Sequence, residues 1–205
     1  MVLSAATVLL AAQLGPVNKA VYIDDFTEGP YSVTLTNGSQ SKNWHNLDRR
    51  HCIFGDRATN LQVTSNNTNT WLNLTIGNGT QTFTAGDQLT WRYDIQWGND
   101  GLYTLDLSNV DRFVADFDTD PSGGGPDIVR IWVIDKNGVF SLNGNWHGRP
   151  GGVYFRKSEF PQTVDWKHVQ YLKFQQDFDQ WPNPTYYNLT KFYMTLKPAV
   201  IGPGL

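Results

Sequence analysis

Apolar and polar residues alternate with a period of two along most of the chain from Val21 onward. The clearest run, at residues 89–97, puts two Trp, one Tyr, one Leu and one Ile on one side and Thr, Arg, Asp and Gln on the other. Successive side chains of an extended strand point to opposite faces, so such a run predicts a strand with one buried face. Shorter runs of the same kind recur, separated by Gly, Asn and Asp.

The pattern predicts ten to twelve strands, while helical periodicity of useful length is missing. The segments are 31–36, 61–64, 71–76, 81–84, 89–97, 102–107, 112–117, 128–134, 139–142, 153–156, 168–175 and 191–196. Short alternating strands at near-regular spacing are typical of antiparallel sandwiches. The sequence therefore predicts an all-β fold, an antiparallel two-sheet β-sandwich of jelly-roll-like form.

Turn-forming residues predict how these strands are connected. Asn37-Gly38 predicts a hairpin, because both residues accept a positive φ. The composition of residues 118–127 and of the Gly-rich stretch 143–152 predicts loops. No linker divides the chain, so residues 21–200 are predicted to form a single domain, followed by a short tail at 201–205.

Residues 1–20 differ in composition from the rest of the chain. The apolar run at residues 4–12 is too short for a membrane-spanning helix, which needs about 20 apolar residues. Its length is that of a signal-peptide core, although no Lys or Arg precedes it. The segment is therefore either signal-like or an N-terminal arm that packs on another copy of the chain, as in a homo-oligomer. No other segment is long and apolar enough to be predicted as a transmembrane helix.

Composition favours an extracellular or cell-surface location. Charged residues make up only 17% of the chain, against about 25% in an average globular protein, so neutral polar groups must cover the surface. The net charge of −3 and the scattered basic residues exclude a typical nucleic-acid footprint. Five Asn-x-Ser/Thr sequons, which could carry glycans, are compatible with export; they begin at Asn37, Asn66, Asn73, Asn78 and Asn188.

Cys52 is the single cysteine, so the chain forms no disulfide within itself. Its neighbours Ile53 and Phe54 favour a buried small hydrophobic residue. A nucleophilic thiol and an intermolecular disulfide are the two alternatives.

The opening residues 21–30, Val-Tyr-Ile-Asp-Asp-Phe-Thr-Glu-Gly-Pro, resemble the start of the mature domain in exported bacterial proteins of the PEP-CTERM type. Residues 105–113 and 128–135 resemble central strands of jelly-roll carbohydrate-binding modules and galactose-binding-like domains. The resemblance covers residues 21–196 and implies an exported sandwich that binds carbohydrate. The C-terminal sorting signal of the PEP-CTERM type is missing, so the resemblance does not imply anchoring by that route.

The same resemblance implies a structural Ca²⁺, which such modules hold with carboxylates near the first and last strands. Asp24 and Asp25 match the first of these positions, whereas the last strand carries Lys191 where an acid is expected. Independently, the carboxylates of Asp116, Asp118, Asp120 and Asp127 surround a loop and are of the oxygen type that Ca²⁺ prefers. Asp is also a common turn former, which explains these positions without a metal.

Eight Trp residues in 205 are the most informative chemical feature. Trp91, Trp97 and Trp132 alternate with apolar partners, which predicts that they lie in the core. The candidate ligand-binding residues are Trp146, His147, Arg149, Trp44 and Trp181, whose tryptophans lie in polar segments. Such rings stack on a sugar, form a protein–protein contact, or fold back as a lid on the sandwich.

The sequence predicts no catalytic centre. Glycoside hydrolysis needs two acids flanking the bond, and the only two glutamates, Glu28 and Glu159, lie far apart in sequence. The motifs of serine esterases and of nucleotide-binding loops are missing as well.

Three hypotheses on function follow from these observations. The first is a non-catalytic exported domain that binds a carbohydrate or another cell-surface ligand. The second is a structural subunit of a surface layer, filament or larger protein complex, assembled through the N-terminal arm. The third is an enzyme that acts on polysaccharides.

Overall fold

The computed structural model describes residues 20–98, 103–118, 127–147, 151–161, 163–178 and 185–197. Within these ranges the chain forms two antiparallel β-sheets that pack face to face, which confirms the predicted all-β, jelly-roll-like sandwich. Residues 1–19 and the tail 201–205 lie outside the described residues, so the signal-like segment or arm stays a prediction.

The described residues form thirteen strands and one short 3-10 helix. The first seven strands are β1 Ala20–Asp24, β2 Tyr31–Leu35, β3 Gly38–Trp44, β4 Arg57–Asn66, β5 Leu72–Gly77, β6 Thr80–Ala85 and β7 Leu89–Trp97. The others are β8 Val110–Phe117, β9 Asp127–Asp135, β10 Phe140–His147, β11 Gly151–Arg156, β12 Val169–Phe178 and β13 Thr185–Leu196. The 3-10 helix, Lys157–Glu159, follows β11.

The seven-stranded sheet has the order β11-β8-β13-β6-β5-β2, with β1 also paired to β13. The long strand β13 pairs with β6 through residues 185–189 and with β1 through residues 192–195, while its other edge pairs with β8. The six-stranded sheet has the order β10-β9-β12-β7-β4-β3. All strand pairs are antiparallel, as the predicted sandwich requires.

The core lies between the two sheets and is built from every second residue of the strands. In β7, buried and half-buried positions alternate without interruption, as the sequence pattern predicted. The rings of Trp97 and Phe192 stack across the sheets with centroids 4.9 Å apart, and Phe83 lies 4.4 Å from Trp91. Each fully buried large apolar side chain contributes about 1.5–3 kcal/mol, so this layer supplies most of the stabilisation.

Cys52 belongs to this core, as predicted. It is 1% exposed, and its thiol donates a hydrogen bond to the Asp56 carbonyl oxygen at 3.2 Å. Burial raises the pKa of the thiol, which makes it a poor nucleophile.

The prediction of a hairpin at Asn37-Gly38 is wrong. Strand β2 pairs with β5 in the seven-stranded sheet, whereas β3 pairs with β4 in the six-stranded sheet. The turn therefore carries the chain from one sheet to the other, with Gly38 at a φ of +72°. Strand β3 was not predicted because it is a polar sheet edge whose residues Gly38 to Asn43 are all exposed.

Two further segments differ from the prediction. Residues 143–147, predicted as part of a loop, continue β10, because each pairs with a residue of β9. Residues 103–107, predicted as part of a strand, form only an isolated bridge between Leu105 and Val169. No helix in the described ranges is both long and apolar enough to cross a lipid bilayer.

Candidate functional site

The outer face of the six-stranded sheet carries long polar side chains from three neighbouring strands. Strand register pairs Asp94 with Asn60 and Gln175, and pairs Lys173 with Gln96 and Trp132. Directly paired residues point to the same side of a sheet, so their side chains form continuous rows across it. We call the following set the polar face: Asn60, Arg92, Asp94, Gln96, Lys173 and Gln175.

Three aromatic side chains lie at one end of the polar face. Phe140 is 57% exposed, and its ring centroid lies 5.3 Å from that of Trp132. We call Trp132, Phe140 and Tyr171 the aromatic end. A cavity of about 160 Å³ joins the aromatic end to the polar face and is lined by Gln96, Trp132, Ile134, Gly138, Phe140, Tyr171 and Lys173.

The polar face itself fixes the orientation of Trp132. The indole N–H donates a hydrogen bond to Oε1 of Gln175 at 3.2 Å. The ammonium of Lys173 lies 4.3 Å from the centroid of the indole ring, a cation–π contact. The ring and its polar neighbours are therefore held in one arrangement before any ligand arrives.

Several polar groups of this face are shielded by one another, although no described strand covers them. Gln175 is only 3% exposed, and Asp94 Oδ2 accepts a hydrogen bond from Arg92 Nε at 3.0 Å. Asp94 Oδ1 is buried and has no hydrogen-bond partner within the described residues. An unpaired buried acceptor is costly, so this atom is a local weak point of the face. Burial also lowers the pKa of Lys173, although the negative charge of Asp94 opposes this.

The prediction that Trp132 lies in the core is wrong. Its strand neighbours Ile131 and Val133 are fully buried, so Trp132 points to the opposite, outer side of the sheet. The sequence contained a sign of this orientation. Arg130 and Trp132 are two residues apart in the strand and therefore point to the same face, and a charged Arg130 marks that face as the outer one.

Trp44, a candidate ligand-binding residue, ends strand β3 and packs inside a cluster of the protein's own side chains. Its ring lies 4.8 Å from the guanidinium carbon of Arg57 and meets Tyr31 edge to face at 5.4 Å. A Cβ on Gly29 would lie 2.7 Å from a carbon of the Trp44 ring, so only glycine fits beneath it. These contacts give Trp44 a structural role, while its ligand-binding role stays a prediction.

Arg57 is a fully buried cation whose partners come from β1 and the loop that follows it. Its Nη1 donates to Asp24 Oδ2 at 2.9 Å, and its Nη2 donates to the carbonyl oxygens of Glu28 and Gly29. The Trp97 indole N–H also donates to Asp24 Oδ2, at 2.8 Å. Burial raises the pKa of Asp24, against the lowering effect of Arg57 and of these hydrogen bonds.

The two candidate calcium ligands turn to different partners. Asp24 binds Arg57 and Trp97, while Asp25 accepts hydrogen bonds from the Thr27 hydroxyl at 2.6 Å and from Nδ1 of His51 at 2.7 Å. A cation at Asp24 would compete with a buried guanidinium. No group of three or more His, Cys, Asp or Glu residues in the described ranges is arranged to hold a metal ion. Calcium at Asp24 and Asp25 stays a prediction that these contacts do not support.

The remaining candidate residues are placed only in part. Trp146 and His147 lie on β10, opposite Ile128 and Asp127 of β9, rather than in the predicted loop. Arg149 and Trp181 lie outside the described residues. A ligand-binding role for these four residues stays a prediction.

Comparisons with known proteins give a fold likeness and no family. No family model matches the chain, and neither does any curated protein. A family 11 carbohydrate-binding module from Clostridium thermocellum, solved with a beta-1,3-1,4-mixed-linked tetrasaccharide, is 12% identical with a TM-score of 0.43, over 85% of this chain and 94% of that one. The CBM22-1–GH10 modules of a xylanase from the same organism, solved with xylohexaose, are 9% identical with a TM-score of 0.33, over 90% of this chain and 28% of that one. Likenesses at this level bear on neither the ligand nor the activity of this chain.

Proposed function

We propose that this chain is a non-catalytic carbohydrate-binding domain whose ligand lies across the polar face, against the aromatic end. The observation that carries the proposal is the group formed by exposed Phe140 and half-buried Trp132 and Tyr171 beside rows of amide, carboxylate and ammonium side chains. We further propose that the domain works outside the cell, where neutral polar polysaccharides are found.

The chemistry of a sugar matches this arrangement. A pyranose ring has apolar C–H faces and a rim of hydroxyl groups that both donate and accept hydrogen bonds. Apolar ring faces pack on aromatic side chains, and a few convergent polar groups then fix the orientation of the ligand. Phe140 and Trp132 supply the aromatic surface, while Gln96 and Lys173 bring polar groups to the same cavity.

Two of the sequons lie away from this face, although Asn66 lies at the end of β4 in the same sheet. None of the five asparagines belongs to the polar face or to the aromatic end. Asn73 lies on β5 of the other sheet, and Asn78 lies in the turn between β5 and β6. In a host that glycosylates the chain, glycans at these two positions would leave the proposed binding surface uncovered.

Affinity electrophoresis and calorimetry with soluble neutral β-glucans and xylans test the proposal. We expect at least one of these polysaccharides to bind, and Trp132→Ala to weaken that binding about tenfold or more, which is about 1.4 kcal/mol. The matched control is Trp71→Ala, since Trp71 is 46% exposed and lies beside the other sheet. Equal binding by both variants, or the lack of any binding by the folded wild type, would overturn the proposal.

A second candidate function, assembly into a larger structure, rests on the edge strand β10. Val139, Phe140 and Leu142 on and beside this strand are 39%, 57% and 37% exposed, and the strand ends its sheet. An apolar sheet edge is a template for pairing with another chain. Light scattering over a range of protein concentrations tests this function, with Leu142→Lys expected to abolish any assembly that it detects.

A further inference from the structure

A second cavity lies at one end of the sandwich, away from the polar face. Its volume is about 340 Å³, within the range of about 300–1,000 Å³ that is usual for small-molecule sites. It is formed by the start of β8, the 3-10 helix, the loop before β12 and the residue after β13. The lining residues are Asp111, Lys157, Ser158, Phe160, Trp166 and Lys197.

The apolar wall of this cavity is rigid. Trp166 meets Phe160 edge to face, with centroids 5.7 Å apart, and stacks near Phe113 at 6.4 Å. The Trp166 carbonyl oxygen accepts a hydrogen bond from the Leu107 N–H at 2.7 Å, which fixes the backbone of the wall. The shape of the cavity is therefore set by the protein core rather than by a mobile side chain.

Lys157 is positioned at the cavity by its own hydrogen bonds. Its ammonium donates to the carbonyl oxygens of Leu107, at 3.2 Å, and of Ser108, and lies 4.7 Å from the centroid of Trp166. An ammonium has three donors, so these two bonds leave one N–H for a ligand among the described groups.

The charges around the cavity favour an anion. Burial and the nearby charge of Lys197 both lower the pKa of Lys157, since two ammonium groups in one cavity repel each other, while the negative charge of Asp106 opposes this shift. The single acid in the lining, Asp111, accepts a hydrogen bond from Arg112 Nε at 2.8 Å, so its charge is already compensated. A bound anion would screen the repulsion between the two lysines.

We propose that this cavity binds an organic oxyanion of monosaccharide size, with its charged group between Lys157 and Lys197 and its ring against Phe160 and Trp166. A sugar that carries a carboxylate, such as a hexuronic acid, has this chemistry, and a sugar sulfate shares it. The site is separate from the polar face and does not depend on the function proposed for that face.

Calorimetric or NMR titration of the full chain tests the proposal, with sodium glucuronate and glucose 6-sulfate as charged probes and glucose as the neutral match. We expect at least one charged probe to bind, and glucose to bind at least tenfold more weakly. The Lys197→Gln variant should bind the charged probe at least fivefold more weakly than the wild type. Lys197 is the residue to change, because Lys157 also holds two backbone carbonyls and its loss could disturb folding.

Two controls separate this site from other charged surfaces and from the polar face. Lys191→Gln changes an exposed lysine on β13 that does not line the cavity, and Trp132→Ala changes the aromatic end. Both should leave binding of the charged probe unchanged. Equal binding of glucose, equal loss in Lys191→Gln, or unchanged binding in Lys197→Gln would each overturn the proposal. Failure of the polar face to bind any polysaccharide would leave this result unaffected.

Discussion

Trp44 and Trp132 each lie under a cation, yet they belong to different kinds of surroundings. The guanidinium of Arg57 lies 4.8 Å from the Trp44 ring, and the ammonium of Lys173 lies 4.3 Å from the Trp132 ring. Arg57 is fully buried and binds a carboxylate and two carbonyl oxygens. Lys173 lies on the outer face of a sheet beside an exposed aromatic ring.

The difference between the two pairs shows that a cation–π contact by itself does not assign a role. Around Trp44, hydrogen bonds and ring contacts join β1, β3, β4 and β7 through Asp24, Arg57 and Trp97, so the pair is part of what holds the two sheets together. Around Trp132, the neighbours are the ammonium of Lys173, the amide of Gln175, a cavity and the exposed ring of Phe140. Changing members of each pair should therefore separate stability from binding.

Arg57→Met should have the largest effect on stability. It leaves the buried carboxylate of Asp24 without its cation, which costs about 3–5 kcal/mol of unfolding free energy. Urea denaturation followed by Trp fluorescence measures this value. The matched control, Arg92→Met, removes an arginine whose side chain is 43% exposed and should cost about 1 kcal/mol or less. Similar values for the two variants would contradict the structural role of the buried pair.

Trp44→Ala should have the next largest effect, about 2 kcal/mol. The ring is half-buried against Arg57 and Tyr31, so its removal opens a cavity over a buried charge. Polysaccharide binding should not change in conditions where the variant stays folded. If binding were lost while the urea midpoint stayed at the wild-type value, the ligand-binding role predicted for Trp44 from the sequence would be supported.

Lys173→Met should change stability by only about 0.5 kcal/mol in either direction. The charged head is partly desolvated, so removing it offsets the lost contact with Trp132. Binding to a neutral polysaccharide should weaken about threefold, because one hydrogen-bond donor of the polar face is gone. Calorimetry and urea denaturation of the same preparation give both values, and a stability loss as large as that of Arg57→Met would remove the contrast between the pairs.

The smallest expected effect is a pH dependence of the folding stability, caused by the ion pair between His51 and Asp25. The hydrogen bond that His51 Nδ1 donates to Asp25, together with the negative charges of Asp25, Asp48 and Glu28, raises the pKa of His51 above its usual 6.5. The stabilisation from this pair is therefore fully present below pH 6.5 and is lost as pH rises through the raised value. Between pH 6 and pH 9, the melting temperature of the wild type should fall more than that of His51→Asn. If the two melting temperatures changed with pH by the same amount, this linkage would be ruled out.

The sandwich could be predicted because several of its core strands, β7 above all, alternate between buried and half-buried residues. In β7, the five apolar residues of the pattern are the ones that the structure buries. Strand β3 could not be found this way, because an edge strand with every residue from Gly38 to Asn43 in solvent has no buried face to mark it. The crossing at Asn37-Gly38 was hidden for a related reason, since the same turn chemistry serves a hairpin and a passage between sheets.

The roles of the tryptophans were harder to predict than the strands. Trp44 was predicted as a ligand-binding residue because its sequence neighbours are polar. Its packing against Arg57 and Tyr31 could not be predicted, because these partners lie on other strands. Trp132 looked like a core residue because its neighbours are apolar, and only strict parity with Arg130 places it outside. A ring's surroundings depend on tertiary contacts that a local window does not contain.

Strand β13 is the last strand that the structure describes along the chain, yet it lies inside the seven-stranded sheet. Until residues 185–197 have been synthesised, β8 and β11 have no partner that joins them to β6, β5 and β2, and β1 has no strand to pair with. Growth of the nascent chain therefore cannot complete this sheet stepwise, and closure must wait until β13 has been synthesised. Strand pairings between residues so distant in sequence form slowly. The newly synthesised chain therefore stays partly unfolded for an interval, during which a chaperone can bind it.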